Sequence, residues 1–152
     1  MSLREKIKLN QVEIDNYLKD QKDIHIGTLN QDGSSHLTTM WYSMDNAEII
    51  FHTYTKSQKI KNLLRDDRIT ILTASGETYE TLKGIMLYGN ATIIHGVNDP
   101  EIVLQTILKV EEKYIEGTAS NEYIEGMKEK VSKRSAVKVK VNKYVTWDHS
   151  KI

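Results

Sequence analysis

The segment FHTYTKSQKIKNL, Phe51–Leu63, holds the densest set of groups able to do chemistry. Its start reads as a strand delivering Thr53, and from Lys59 it reads as a helix with Ile60, Leu63 and Leu64 on one face. A strand, a short loop and a helix in that order present free backbone N–H groups outward, where an anion is favoured. Ser57 can cap the helix or donate to an oxyanion, and the Lys59 ammonium at the edge of the apolar arc can reach back toward the loop. Hydroxyls at Thr53, Thr55 and Ser57 alternate, so in extended backbone they share a face. The same residues also describe an ordinary capped surface helix with solvated lysines. Both readings stand on these residues alone.

A second constellation is SHLTTMWYSM, Ser35–Met44, where Thr38, Thr39 and Met40 run into Trp41 and Tyr42 on an expected central strand. A flat ligand would find stacking surface with backbone donors and acceptors there. Aromatic residues in such a strand are ordinarily core, and the pattern predicts Trp41 as a core residue. Elsewhere the chemistry thins out. The histidines at 25, 36, 52, 95 and 149 have no H-x-H or H-E-x-x-H spacing, so no metal site is expected. No nucleophile elbow, G-x-G-x-x-G or Walker loop occurs, and the absence of cysteine removes thiolate nucleophiles, disulfides and cysteine-ligated metals.

The elements that must position these residues follow from periodicity. Asn10–Leu18 predicts a capped helix, and residues 23–55 predict a three-stranded meander punctuated at Asp32-Gly33 and Asp45-Asn46. Strands are expected again in RITILTA and YETLKGIMLYGNATIIH, with Gly84 and Gly89 marking bends or close backbone approach. Asp99-Pro100 opens a helix striped by Ile102, Val103, Ile107, Leu108 and Val110, a second helical piece covers Asn121–Val131, and SAVKVKVNKYVTW alternates as a last strand. This order predicts a single α+β domain over residues 1–152, with a sheet curled into a small barrel and a dimer covering one flank.

The 152 residues carry 21 basic and 21 acidic side chains, so no single-sign field argues for nucleic acid or an anionic membrane. The lysine–valine alternation of the last strand reads as one buried and one wet face. No signal-like segment or membrane-length apolar run occurs, and a cytoplasmic location is the expectation.

Taken together, GTLNQDGSSHLTTMWYSMDNAEIIFHTYTKSQKIKNLLRDDRITI, the later LYGNATI and the ending VTWDHSKI resemble the flavin-binding split-barrel family. That family is named after pyridoxamine 5'-phosphate oxidase and includes F420-dependent reductases. The resemblance implies a six-stranded antiparallel split β-barrel with short flanking helices, dimeric, with cofactor sites at the subunit interface. It implies FMN as cofactor, with F420 as the alternative and haem a more distant one. By the same resemblance Thr53, Ser57, Gln58 and Lys59 would hold the cofactor phosphate, and Thr38, Thr39 and Met40 would contact the ring largely through backbone. Trp147 would reach the cofactor of the other subunit.

The chain also departs from the oxidases of that family. It lacks a C-terminal R-x-H, has Tyr42 and Gly84 where they have lysine and glutamine, and has Gln58 in place of a common arginine, with Lys56 able to restore the charge. The implied activity is therefore hydride transfer to or from a small organic substrate other than a B6 vitamer. The alternative is a non-catalytic protein that sequesters flavin or haem on the same barrel. Tyr42 and Tyr88 are the side chains with a phenol to offer as a donor.

Overall fold

In a computed structural model, which describes residues 1–115, 117 and 119–152, the alternating segments become strands of one antiparallel sheet. The elements are α1 (Leu3–Lys6), α2 (Gln11–Asp20), β1 (Asp23–Leu29), β2 (Ser35–Trp41), β3 (Ser43–Asp45), β4 (Glu48–Tyr54), α3 (Gln58–Arg65), β5 (Arg68–Ser75), β6 (Lys83–His95), α4 (Pro100–Glu112), α5 (Asn121–Lys130) and β7 (Arg134–Asp148). The strand order is β2-β1-β5-β6-β7-β4-β3. One face of each strand enters the core, where Ile24, Ile26, Phe51, Ile71, Leu87 and Val137 are at most 1% exposed. Each such side chain contributes roughly 1.5–3 kcal/mol of burial. Helix α3 adds Ile60 and Leu63 to the same core.

The expected three-stranded meander is instead four strands in two hairpins, which makes the sheet seven-stranded rather than six-stranded. The physical reason lies at Tyr42. Strands β2 and β3 are successive pieces of one run separated by that residue alone, yet β2 pairs only with β1 and β3 only with β4. Both outer positions of the sheet therefore belong to the same stretch of chain, and the sheet curls round to meet itself there.

Tyr42 is fully buried, and its hydroxyl donates to the Leu18 carbonyl at the end of α2. Burial, with the Tyr114 phenol adding, pushes its own phenol far above the ordinary tyrosine range, so it stays a neutral donor. The Tyr42 N–H, which has no strand partner, donates to the Tyr114 hydroxyl at 3.1 Å, and that hydroxyl donates in turn to the Lys22 carbonyl. Lys113 closes the knot, with its ammonium 3.6 Å from the centre of the Tyr42 ring and donating to the Leu18 carbonyl at 3.0 Å.

Trp41 is a second correction. It is 54% exposed, because the bend sends its indole outward onto the Tyr114 ring, with centroids 4.2 Å apart and planes within 7°.

The two glycines of β6 behave as close approaches. A Cβ on Gly89 would lie 2.5 Å from the Lys140 carbonyl oxygen, beside the register shift between β6 and β7. On Gly84 it would lie 2.3 Å from the Trp147 ring. Helices α4 and α5 pack as a separate small cluster, with Val103, Ile107 and Met127 against Val131 and Ala136. Among the described residues no helix is long and apolar enough to cross a membrane.

Replacing Tyr114 by Phe leaves the Tyr42 N–H without its acceptor and should cost about 1–3 kcal/mol in urea denaturation. Tyr42→Phe leaves a carbonyl that still accepts from Lys113, and should cost about 1 kcal/mol. A larger loss for Tyr42→Phe than for Tyr114→Phe would contradict this account of the bend.

Candidate functional site

The β3–β4 pairing runs from Asp45↔Glu48 to Ser43↔Ile50 and stops there. Had it continued, Trp41 would face His52, Met40 would face Thr53, and Thr39 would face Tyr54. Instead β2 swings away to β1 while β4 stays on β7, and those six residues become the facing walls of a cleft of about 490 Å³. Lys59, Glu111 and Arg134 complete the lining. Along β2 no residue from 35 to 41 pairs with any strand but β1, and along β4 residues 51–54 pair only with β7. Each wall thus carries a row of backbone donors and acceptors with no ladder partner, which a flat ligand with ring heteroatoms can use.

Strand alternation divides the lining into two tiers. Met40 packs against the core and Thr53 is only 5% exposed, so these face inward. Thr39 and Trp41 are exposed and share the opposite face of β2, as His52 and Tyr54 share a face of β4. Arg134 pairs with Tyr54 in register, and its guanidinium lies 4.4 Å from the centre of the Tyr54 ring. It also donates from Nη1 to His52 Nδ1 at 3.3 Å. Burial first, and the Arg134 charge second, hold the His52 imidazole down to about 4, so at neutral pH it is uncharged. Burial raises the Glu111 carboxyl and Arg134 works against that rise, while the Tyr123 hydroxyl donates to Glu111.

At the inner tier, the Lys59 side chain is 8% exposed and makes no hydrogen bond or ion pair among the described residues. Burial lowers its amine below the ordinary lysine range. Ser57 is the N-cap of α3 yet makes no capping bond, and its Oγ is buried without a partner. A buried hydroxyl without a partner, a lysine with a buried stem and no counter-charge, and the first turn of an eight-residue helix form an arrangement that an anion would complete. Among the described residues no three or more acidic or histidine side chains converge as a metal site.

The site residues expected from sequence are thus partly brought together. Thr39, Met40, Thr53 and Lys59 line the cleft, and Ser57 stands at the start of the helix that supplies Lys59. The Thr38 hydroxyl is buried without a partner on the opposite face of β2 from Thr39. Gln58 is exposed, donates to Asn62 Oδ1 at 2.8 Å and does not line the cleft. The shared hydroxyl face breaks at Thr55, which is bound to Ser135 Oγ at 2.8 Å, and that hydroxyl is 2.8 Å from His95 Nδ1. Trp147 lies at the other end of β7 from Arg134, over Gly84. Tyr42 belongs to the bend, and Tyr88 lines a different groove on the outer sheet face.

His52, Tyr54, Glu111 and Arg134 were not singled out as site residues by sequence. His52 and Tyr54 alternate within the same quoted segment, a signal that was present. Arg134 reaches them only through the β4–β7 register, and nothing local marks it.

The partial burial of Lys59 has a thermodynamic consequence. The unfolded chain holds that proton to about pH 10.4, whereas the folded protein releases it earlier. The unfolded state then binds more protons in that window, so stability rises with pH across it. Lys113, brought down to about 8 by burial and by Lys22, acts in the same direction. Lys59→Met should stabilise the ligand-free protein at neutral pH and reduce the alkaline rise to the share of Lys113. Urea denaturation at about pH 7 and about pH 9.5 tests both, and a destabilised variant at neutral pH would contradict the assignment.

Comparison with known proteins places the fold in a family. The sequence model of the pyridoxamine 5'-phosphate oxidase family matches residues 11–148. No curated protein matches the sequence. Among solved structures, the conserved hypothetical protein Rv2991 from Mycobacterium tuberculosis is 32% identical with a TM-score of 0.88, over 99% of this chain and 92% of that one. An F420 reductase (17% identity, TM-score 0.63, 86% and 94% covered) shares the fold. So does HutZ, the heme storage protein from Vibrio cholerae (14%, 0.69, 92% and 97%). With a continuous family match over nearly the whole chain and the barrel split at Tyr42, this protein belongs to the pyridoxamine 5'-phosphate oxidase family.

Proposed function

We propose that the protein binds a phosphorylated flavin-type cofactor, FMN or alternatively F420, in the β2–β4 split, and transfers hydride between it and a small organic substrate. The observation that carries this reading is the inner tier, where Lys59 has no counter-charge and the Ser57 hydroxyl has no partner beside two unpaired strand edges. In this reading Lys59 neutralises the phosphate, Ser57 and Thr53 donate hydroxyls to it, and the first amides of α3 complete its coordination. The strand edge at Thr39 and Met40 meets the ring, with Thr38 behind it. Gln58 holds Asn62 and stays out of the phosphate contacts, so Lys59 and the helix carry the charge.

Bound there, the cofactor supplies the hydride chemistry. The chain's own contribution is to orient the ring, to exclude water from its buried edge and to fix the phosphate. Sequestration of flavin or haem without turnover is the second reading. It draws on the heme storage protein among the structures of the same fold.

The functional unit in this proposal is a homodimer. Leu37 is 71% exposed on the outer face of β2, beside a groove of about 600 Å³ that also takes in Tyr88, and a second subunit covering this face would complete the cleft. Trp147, at the far end of β7, would then serve the partner's site.

Purified protein titrated with FMN and with F420, followed by visible absorbance, should bind one of them. Lys59→Ala should weaken that binding by about 1.5–3 kcal/mol, as expected for a hydrogen bond to a charged group. Binding of neither cofactor, or an unchanged affinity in the variant, would reject the reading. A Soret band on haem addition, without reduction of the bound cofactor by NADPH or reduced F420, would favour sequestration. Sedimentation at micromolar concentration should give a dimer, and a monomer would contradict the shared site.

A further inference from the structure

The outer tier of the cleft holds a second set of groups that the phosphate reading does not use. Arg134 is fixed from two sides, by the Tyr54 ring beneath it and by His52 Nδ1 at 3.3 Å. Its Nε is buried and has no hydrogen-bond partner, and among the described residues no carboxylate lies within ion-pair distance of it. A buried guanidinium N–H without an acceptor is costly, and Arg134 is among the residues that line the cleft. Uncharged His52 leaves the full positive charge in place.

Across the cleft stands Trp41, 54% exposed. One face of its indole is occupied by Tyr114, whose hydroxyl is itself held at the bend. The rigid stack offers the opposite face of the indole as a platform for another flat ring. Glu111 is the acidic group on the same lining, and it is engaged by Tyr123 rather than by Arg134.

We infer that Arg134 and Trp41 form a substrate subsite for a conjugated or aromatic carboxylate, with the carboxylate on Arg134 and the planar part stacked on Trp41. The inference rests on the cofactor reading for what is then done to the molecule, but its binding geometry does not. Lys59 lies on the inner tier with Thr53, and Ser57 stands at the start of the helix that supplies Lys59, while Arg134 and Trp41 lie on the outer tier with Tyr54 and Thr39. Two anionic groups, one from the cofactor and one from the substrate, thereby have separate cations. Arg134 suits a planar carboxylate because its fork of donors matches two oxygens, which a lysine cannot reproduce.

The test uses the full-length protein and a matched pair of probes, cinnamate and cinnamamide, which differ in the charged group alone. Binding is followed through the indole N–H resonance of Trp41. Cinnamate should shift the Trp41 signal and bind at least about tenfold more tightly than cinnamamide, the factor expected for one charge-assisted hydrogen bond. Arg134→Gln should abolish that preference, Arg134→Lys should restore only part of it, and Glu111→Gln should increase it by removing a like charge. The preference should persist in Lys59→Ala and with FMN or F420 added.

Equal binding of the two probes by the wild-type protein, which needs no variant to fold, would overturn the inference. So would a preference that survives Arg134→Gln or disappears in Lys59→Ala. Failure of the cofactor titration with the cinnamate preference intact would reject the cofactor reading alone, and the reverse would reject the subsite alone.

Discussion

The arrangement depends on a single residue that is not allowed to be a strand. At Tyr42 the chain leaves the ladder with β1 and has not yet entered the ladder with β4, and its backbone groups must be satisfied by something else. Tyr114 supplies the acceptor for its N–H, while the Tyr42 ring is locked by the Leu18 carbonyl and the Lys113 ammonium. These contacts come from α2 and from the two residues that follow α4, so segments far apart in sequence hold the bend. Without it β2 could continue alongside β4, and the gap between Thr39–Trp41 and His52–Tyr54 would close into an ordinary sheet. The bend thereby creates both the barrel and its opening.

What the opening contains is poorly suited to stability and well suited to binding. A buried lysine without a counter-charge, a capping serine that does not cap and a buried guanidinium N–H without an acceptor each cost folding free energy. They sit within one small region, whereas the barrel beneath is packed with isoleucine, leucine, valine and phenylalanine. Local violations gathered at a cleft, on a scaffold with a closely packed apolar core, are the pattern expected of a ligand site. The two tiers sharpen this. Strand alternation puts Thr53 below and His52 and Tyr54 above, so the same β4 segment fronts both the proposed inner anion site and the proposed outer one.

Much of this was legible in the sequence, and the losses have identifiable causes. The alternation of apolar residues through β1, β4, β5 and β7 marked the sheet, and the residues around Thr53, Ser57 and Lys59 marked the candidate anion site because a strand-to-helix passage is local. The count of strands failed at Tyr42, since a one-residue interruption held by tertiary hydrogen bonds leaves no mark in hydrophobic periodicity. Trp41 was expected in the core for the same reason, its outward turn being set by Tyr114, a residue far along the chain. Gln58, carried over from the family pattern, donates to Asn62 and is not among the residues lining the cleft. Arg134 was invisible because its role depends on β7 lying beside β4, a pairing between residues some eighty positions apart.

The central claim is that the split between β2 and β4 is a cofactor cleft headed by a phosphate site at the start of α3. A crystal structure of the protein with FMN or F420 bound tests it most directly. The account predicts the phosphate within hydrogen-bonding distance of Ser57 Oγ and Lys59 Nζ, with the ring between the unpaired edges of Thr39–Met40 and His52–Thr53. A cofactor bound with its phosphate on Arg134, or lying outside the split altogether, would contradict it.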